Sequence, residues 1–291
     1  MQQMKITSVT NETFAWGESA CWDDASSRFY CVDCEFRELR WVDASNWNQM
    51  HRLVLPSLPT ALYLTETPGR VLMQLDNGLC AVEVSTSEIK LVVSNPPGEP
   101  RFNDGVVDPS GAIVTGTLLF GSTLPVGSYW RYGKPAGWEP IHRGKGNTNG
   151  PCFSPDGKFL YVADSSAGCI YRFDYGPGRA LHGQRLFADT NSLGGLPDGA
   201  AVDSEGCLWT TVFGGSKLVR YRPDGSPDQL IELPASHPTS VAFGGNDFQT
   251  AFVTTIRTNS FGINTQGEMS GSLIKIEGLG VRGLARNRCK F

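Results

Sequence analysis

The stretch 153-FSPDGKFLYVAD-164 decides the fold. An apolar residue and a small polar one lead into Pro-Asp-Gly, a tight-turn signal. The turn opens onto a run of aromatic and β-branched residues that reads as a strand. The same phrase recurs at 22-WDDASSRFYCVD, 107-VDPSGAIVTG and 202-VDSEGCLWTTV, with weaker copies at 66-ETPGRVLMQ and 243-FGGNDFQTAFVTT. With Asp24, Pro68, Pro109, Pro155, Ser204 and Gly245 as equivalent points, successive steps are 44, 41, 46, 49 and 41 residues. That is the length of a four-stranded propeller blade. Six units fill the chain, so the reading is all-β: a six-bladed β-propeller in a single domain spanning residues 1–291.

Composition agrees. The 34 glycines and 18 prolines interrupt the chain too often for long helices. Apolar residues make up 40% of the 291, enough for a sizeable core. A net charge of −4 with no basic stripe argues against nucleic acid as a partner. The start, MQQMKITSV, carries no apolar signal region, and no apolar run approaches a membrane span. Most of the eight cysteines lie in apolar strand-like runs, where a free thiol packs as a small hydrophobe. Cys31 and Cys34 form a lone CxxC. On a strand their odd separation puts them on opposite faces, which suits neither a metal nor a bridge. The expectation is a reducing, cytoplasmic setting.

Counting six residues back from each turn point gives Glu18, Asn103, Asn149 and Asp198 in the strong units, and Leu62 and Thr239 in the weak ones. Equivalent positions of successive blades stand at equal distance from the axis, so the four polar side chains are expected at one mouth of the channel. Arg101, two residues before Asn103, can share its side. Glu18, Asn149 and Asp198 offer two carboxylates and an amide oxygen, hard donors for a divalent cation that would relieve the repulsion of the paired carboxylates. His51, His142, His182 and His237 have no ligand spacing, and no Ser-His-Asp arrangement is seen. Asp156 and Asp203 read as turn residues, and Asp104 is left open.

At these residues the chain resembles the gluconolactonase, regucalcin and luciferin-regenerating family of six-bladed propellers. The matching phrases are GESACW at 17–22, RFNDGVVDPSG at 101–111 with GTL at 116–118, NGPCFSPDGKFLYVAD at 149–164, LPDGAAVDSEGCLWT at 196–210, PTSVAFGGND at 238–247 and FVTT at 252–255. The resemblance implies one divalent metal ion (Ca2+, Mg2+, Mn2+ or Zn2+) held by Glu18, Asn149 and Asp198. It implies Arg101 and Asn103 as substrate contacts, and Asp198 as the catalytic base toward water, with activation of the water by the metal itself as the alternative. The expected activity is hydrolysis of a sugar-derived or similar small lactone. A calcium-binding regulator without turnover and a phosphotriester hydrolase are the alternatives. Two departures stand out. The family reads glycine and proline where this chain has Ser19 and Ala20. The stretch 118-LLFGSTLPVGSYW-130 has no acid where several members place one to bind substrate. If Leu119, Phe120, Leu124 and Val126 reach over the mouth, the preferred lactone is less hydroxylated than gluconolactone. If they fold onto blade 3, the hydroxyls are read elsewhere.

Overall fold

The computed structural model describes residues 3–119, 121–122, 124–176 and 181–290. Six separate four-stranded antiparallel sheets follow one another around a ring. Each of blades 1 to 5 takes four consecutive strands. In blade 3 these are Arg101–Val107, Ile113–Leu118, Gly127–Gly133 and Gly137–Lys145. Blade 6 is closed by the N-terminus. Lys5–Ser8 pairs antiparallel with Ile274–Glu277, and the sheet continues inward through Thr250–Thr255 to Pro238–Gly244. Stitching the N-terminal strand onto the last blade closes the ring. Apart from strands, the described residues contain two single-turn 3-10 segments, Ser165–Ala167 and Asn191–Leu193. No described helix is long and apolar enough to cross a membrane.

The blades pack through apolar faces. Tyr30, Val32, Leu62 and Met73 interlock blades 1 and 2, and Phe29, Trp22 and Phe252 interlock blades 1 and 6. Cys34 belongs to the first of these clusters and Cys31 to the second, so the CxxC pair does face opposite ways. All eight cysteines are free.

What positions the site is a defect repeated in the inner strands. In four blades the register with the second strand skips two residues: between Glu18 and Cys21, Phe102 and Gly105, Asn149 and Cys152, and Pro197 and Ala200. Such bulges break the strict alternation of side chains and re-aim residues at the rim. In blades 2 and 6 only one residue is skipped, Thr60 and Thr239.

This corrects Leu62. The Leu64–Val71 pair encloses residues 65–70, so Pro68 sits two places later in its turn than Pro109 does between Val107 and Ile113. Six residues back from the equivalent Glu66 is Thr60, and Thr60 lines the site cavity. Leu62 faces the far end of the channel instead. There a second cavity of about 240 Å³ is closed by the C-terminal tail. In that tail Arg286 donates to the Ala20 carbonyl at 2.8 Å, Asn287 to Val107 at 3.0 Å, and the Cys289 amide to Leu64 at 2.8 Å. Thr239 is fully buried and donates its hydroxyl to the Gly17 carbonyl, which ties blade 6 to blade 1 without reaching the cavity.

Candidate active site

One cavity of about 370 Å³ at the mouth of the channel is lined by Glu18, Arg101, Asn103, Asn149 and Asp198 together. Glu18 comes from the start of Gly17–Asp23, Asn103 from Arg101–Val107, Asn149 from Thr148–Phe153 and Asp198 from Leu196–Val202. All four lie at or inside the bulges. Gly150 makes the closure of blades 4 and 5 possible. Its φ is +51°, and a Cβ there would run into the Asp198 carbonyl oxygen. Ser19 takes a similar left-handed backbone, with φ +54°, at a position where the family reads glycine. Its hydroxyl accepts the Leu62 amide at 2.9 Å, which holds the conformation.

A directed chain of hydrogen bonds runs through the amides. Asn103 Nδ2 donates to the Thr148 carbonyl at 2.9 Å and to Asn149 Oδ1 at 2.6 Å. Asn149 Nδ2 donates to Ser165 Oγ at 2.9 Å, and Ser165 Oγ donates to the Pro197 carbonyl at 2.6 Å. Both ends of the chain are carbonyls, which only accept. Ser165 must therefore spend its proton on Pro197 and receive one from Asn149, and Asn103 must present its NH2 group to Thr148. The two constraints together dictate which way the Asn149 amide faces. Its nitrogen points to Ser165 and its oxygen lies on the opposite side, with a lone pair still open beyond the Asn103 bond.

The acids are poorly compensated. Burial, reinforced by the nearby Asp104 charge, raises the Glu18 carboxyl far above the carboxylate range. The Trp16 indole, donating to Oε1 at 3.2 Å, and the Arg101 charge offset part of this. Burial raises Asp198 well above its usual value too, followed by the charges of Glu18 and Asp104. Asp104 lies just beneath the cavity. Its carboxylate takes the Gly105 amide at 2.7 Å and the Gly150 amide at 3.0 Å, so it braces the backbone next to Asn149, and burial pushes it up to about 6. Two carboxylates and an amide oxygen, all hard donors in one enclosed space, fit a divalent cation, whose charge would remove the cost of ionising both acids. Among the described residues no three of His, Cys, Asp and Glu come together as ligands, so the set depends on the Asn149 oxygen as third donor.

Of the stretch 118–130, the described residues Leu119, Leu124 and Val126 take neither of the two expected places, over the mouth or packed on blade 3. Leu118 lines the cavity, but Leu119, Leu124 and Val126 point to solvent, and Phe120 lies outside the described residues. The apolar side is built by Trp16, Leu196, Phe213, Phe261 and Ile263. Sequence reasoning missed these and Ser165. Trp16 stands directly before the GESACW phrase, which was a usable signal. Phe261 and Ile263 come from an irregular segment after the last blade phrase, where no periodicity marks a position.

The chain matches the family model described as SMP-30/gluconolactonase/LRE-like region over residues 16–257. It belongs to that family. Regucalcin of Macaca fascicularis is 30% identical over 98% of each chain. L-arabinolactonase of Azospirillum brasilense is 32% identical, over 79% of this chain and 77% of its own length. Among solved structures, a calcium-binding protein, regucalcin, from Agrobacterium tumefaciens superposes with a TM-score of 0.87 at 25% identity, covering 98% of this chain and 97% of that one. The six-bladed architecture and the family membership read from the sequence are thus both met.

Proposed function

We propose that this protein is a metal-dependent lactonase that hydrolyses a sugar-derived or similar small lactone. The observation that carries the proposal is the convergence of Glu18, Asn149 and Asp198 on one cavity beside Arg101 and Asn103, with both acids desolvated and raised. Lactonases among its relatives support the reaction class, L-arabinolactonase and the 6-deoxy-6-sulfogluconolactonase of Pseudomonas putida among them.

Glu18, Asn149 Oδ1 and Asp198 would hold the cation. When bound, a divalent cation supplies a Lewis acid for the lactone carbonyl oxygen and lowers the proton affinity of water. Asn103 and Arg101 orient the ring and its substituents. Asp198 takes a proton from the attacking water as the water oxygen bonds to the carbonyl carbon. The ring C–O bond breaks with its electron pair on the ring oxygen, and Asp198 returns the proton there. The product is an open-chain hydroxy acid. Its carboxyl group ionises beside the Arg101 guanidinium, which matches a carboxylate in shape and charge.

A calcium-binding role without turnover is the second reading. The regucalcin relatives favour it, and the same oxygen donors would serve it. A pH-stat assay of lactones with Ca2+, Mg2+, Mn2+ and Zn2+ separates the two, since only hydrolysis releases acid. Tight cation binding with no acid release from any lactone would overturn the lactonase reading.

A further inference from the structure

Leaving aside the two acids and Leu118, the polar and aromatic groups of the cavity lie on different blades. Arg101, Asn103 and Asn147 stand on blades 3 and 4, and Asn147 Oδ1 is buried with no hydrogen-bond partner among the described residues. Facing them from blades 5, 6 and 1 are Phe213, Phe261 and Trp16, the last just before the first strand of its blade. The rings form a corner and not a flat platform. Trp16 lies nearly parallel to Phe213 at 5.9 Å and 26°, but meets Phe261 edge-on at 5.3 Å and 67°. A sugar ring offers one flat C–H face, which suits a single aromatic plane. A corner suits a flexible or branched apolar group that can touch both planes.

Phe261 is placed there at a conformational cost. Its φ is +44° and that of Asn259 is +69°, in the left-handed region that residues other than glycine seldom occupy. The turn is held by the Asn259 amide on the Ile263 carbonyl at 2.8 Å and the Ile263 amide on Ser260 at 2.9 Å. The Ser260 hydroxyl is tied to Glu35 of blade 1. The result is an aromatic ring that leaves 50% of its surface exposed, at the mouth of a cavity, beside Leu196 at 41%. Both residues line that cavity.

We infer that the substrate is a lactone carrying an apolar aliphatic or aryl substituent, with its oxygenated edge toward Arg101, Asn103 and Asn147 and its substituent in the Trp16–Phe213–Phe261 corner. This rests on the lactonase reading and narrows its substrate class. A polyhydroxylated lactone would have to turn some hydroxyls into that corner, where the Phe213 and Phe261 rings offer them no hydrogen bond and the Trp16 indole N–H is already donated to Glu18.

The test is a series of γ-lactones bearing hydrogen, butyl or hexyl groups against aldonolactones, assayed with the metal-loaded protein. Each added methylene that reaches the corner should raise kcat/KM roughly fourfold until the corner is full. In Phe261→Ala the preference for hexyl over hydroxylated lactone should fall about tenfold or more. Hydrolysis that favours aldonolactones, or that ignores chain length, overturns the inference and leaves the lactonase reading standing. Binding of the matching alkyl and polyhydroxy lactams, which are not hydrolysed, is measured in parallel by calorimetry. Alkyl-lactam binding that weakens in Phe261→Ala, with no lactone turned over, supports the apolar corner and removes the lactonase reading. Equal binding of both lactams to both proteins removes the corner.

Discussion

Two sets of buried acids in this molecule meet opposite fates. Asp108 and Asp203 sit in the blade turns, at 1% and 0% exposure, and are saturated with donors. Asp203 takes the amides of Glu205 and Cys207, the Trp209 indole at 2.9 Å and Arg220 Nε at 2.8 Å. Asp108 takes the amides of Ser110 and Ala112, the Tyr175 hydroxyl at 2.7 Å and Arg131 Nε at 2.9 Å. Burial alone would raise Asp108, yet hydrogen bonds from Ser110, Tyr175, Ala112 and Arg131 outweigh it and hold the carboxyl below its ordinary value. Glu18, half-buried, and Asp198, 7% exposed, are also desolvated, but in them burial outweighs the donors and charges that answer it, and both are raised. A desolvated carboxyl is therefore structural where its charge is fully answered, and one whose charge is not answered is the candidate for function. The turn acids are complete without a ligand. The channel acids would be answered by the proposed cation.

Removing a channel acid should cost activity without costing the fold. Asp198→Ala is expected to lower kcat/KM of the metal-loaded protein by about 10²–10⁴-fold, the usual range for a lost acid-base group, and to abolish measurable cation binding by calorimetry. Its metal-free thermal midpoint should equal or exceed that of the parent. A variant that retains both cation and turnover would show that the channel acids have been assigned wrongly.

Removing a turn acid should do the reverse. Asp108→Ala removes the close carboxylate partner of buried Arg131 and leaves it with Ser110 and a 4.0 Å approach to the exposed Glu139, so stability measured in urea is expected to fall by about 3–5 kcal/mol. Activity per folded molecule should be retained at low temperature. A loss of turnover in a folded Asp108→Ala protein would erase the distinction between the two sets.

Ser165 sharpens the comparison, because it acts through the third donor. In Ser165→Ala the Asn149 amide loses the acceptor that dictates its orientation. Cation affinity should weaken about 10–100-fold, as is usual when a group supporting a metal ligand is removed. Excess metal should restore most of kcat. An unchanged affinity would show that the Asn103 contact alone orients the amide.

The last effect expected is in the pH dependence of the metal-free protein. Glu18 is raised to about 8 and Asp104 to about 6, above their unfolded values. Between the unfolded and folded pKa values the native state therefore binds more protons than the unfolded chain, so these groups lower stability as pH rises. Their contribution is full below about pH 4, where carboxylates of the unfolded chain are protonated, and is lost by about pH 8. Thermal midpoints of the metal-free protein should decline across that window, and saturating Ca2+ should flatten or reverse the decline. A rise with pH in the absence of cation would mean that the channel acids are better compensated than their surroundings imply.

The sequence by itself determined the architecture, the number of blades and the inner-strand position from which polar groups reach the channel. It could do so because a propeller repeats one local unit. Pro-Asp-Gly or Asp-Ser-Glu-Gly followed by an apolar run means the same thing each time, and equal spacing becomes equal radius. Glu18, Asn103, Asn149 and Asp198 were legible for that reason. Leu62 was misread because a proline can occupy a different place in the equivalent turn, and the pairing of Leu64 with Val71 alone reveals the offset. Tertiary structure decided what has no period. Ser165 and Asn149 are bonded because separate segments of blade 4 meet at the Pro197 carbonyl of blade 5, and Asp104 braces Gly150 across two blades. Trp16, Phe213 and Phe261 form one corner although up to 245 residues separate them, because ring closure sets blade 1 beside blade 6. Local turn chemistry can be read along a chain. Contacts made by closing the ring depend on every blade at once.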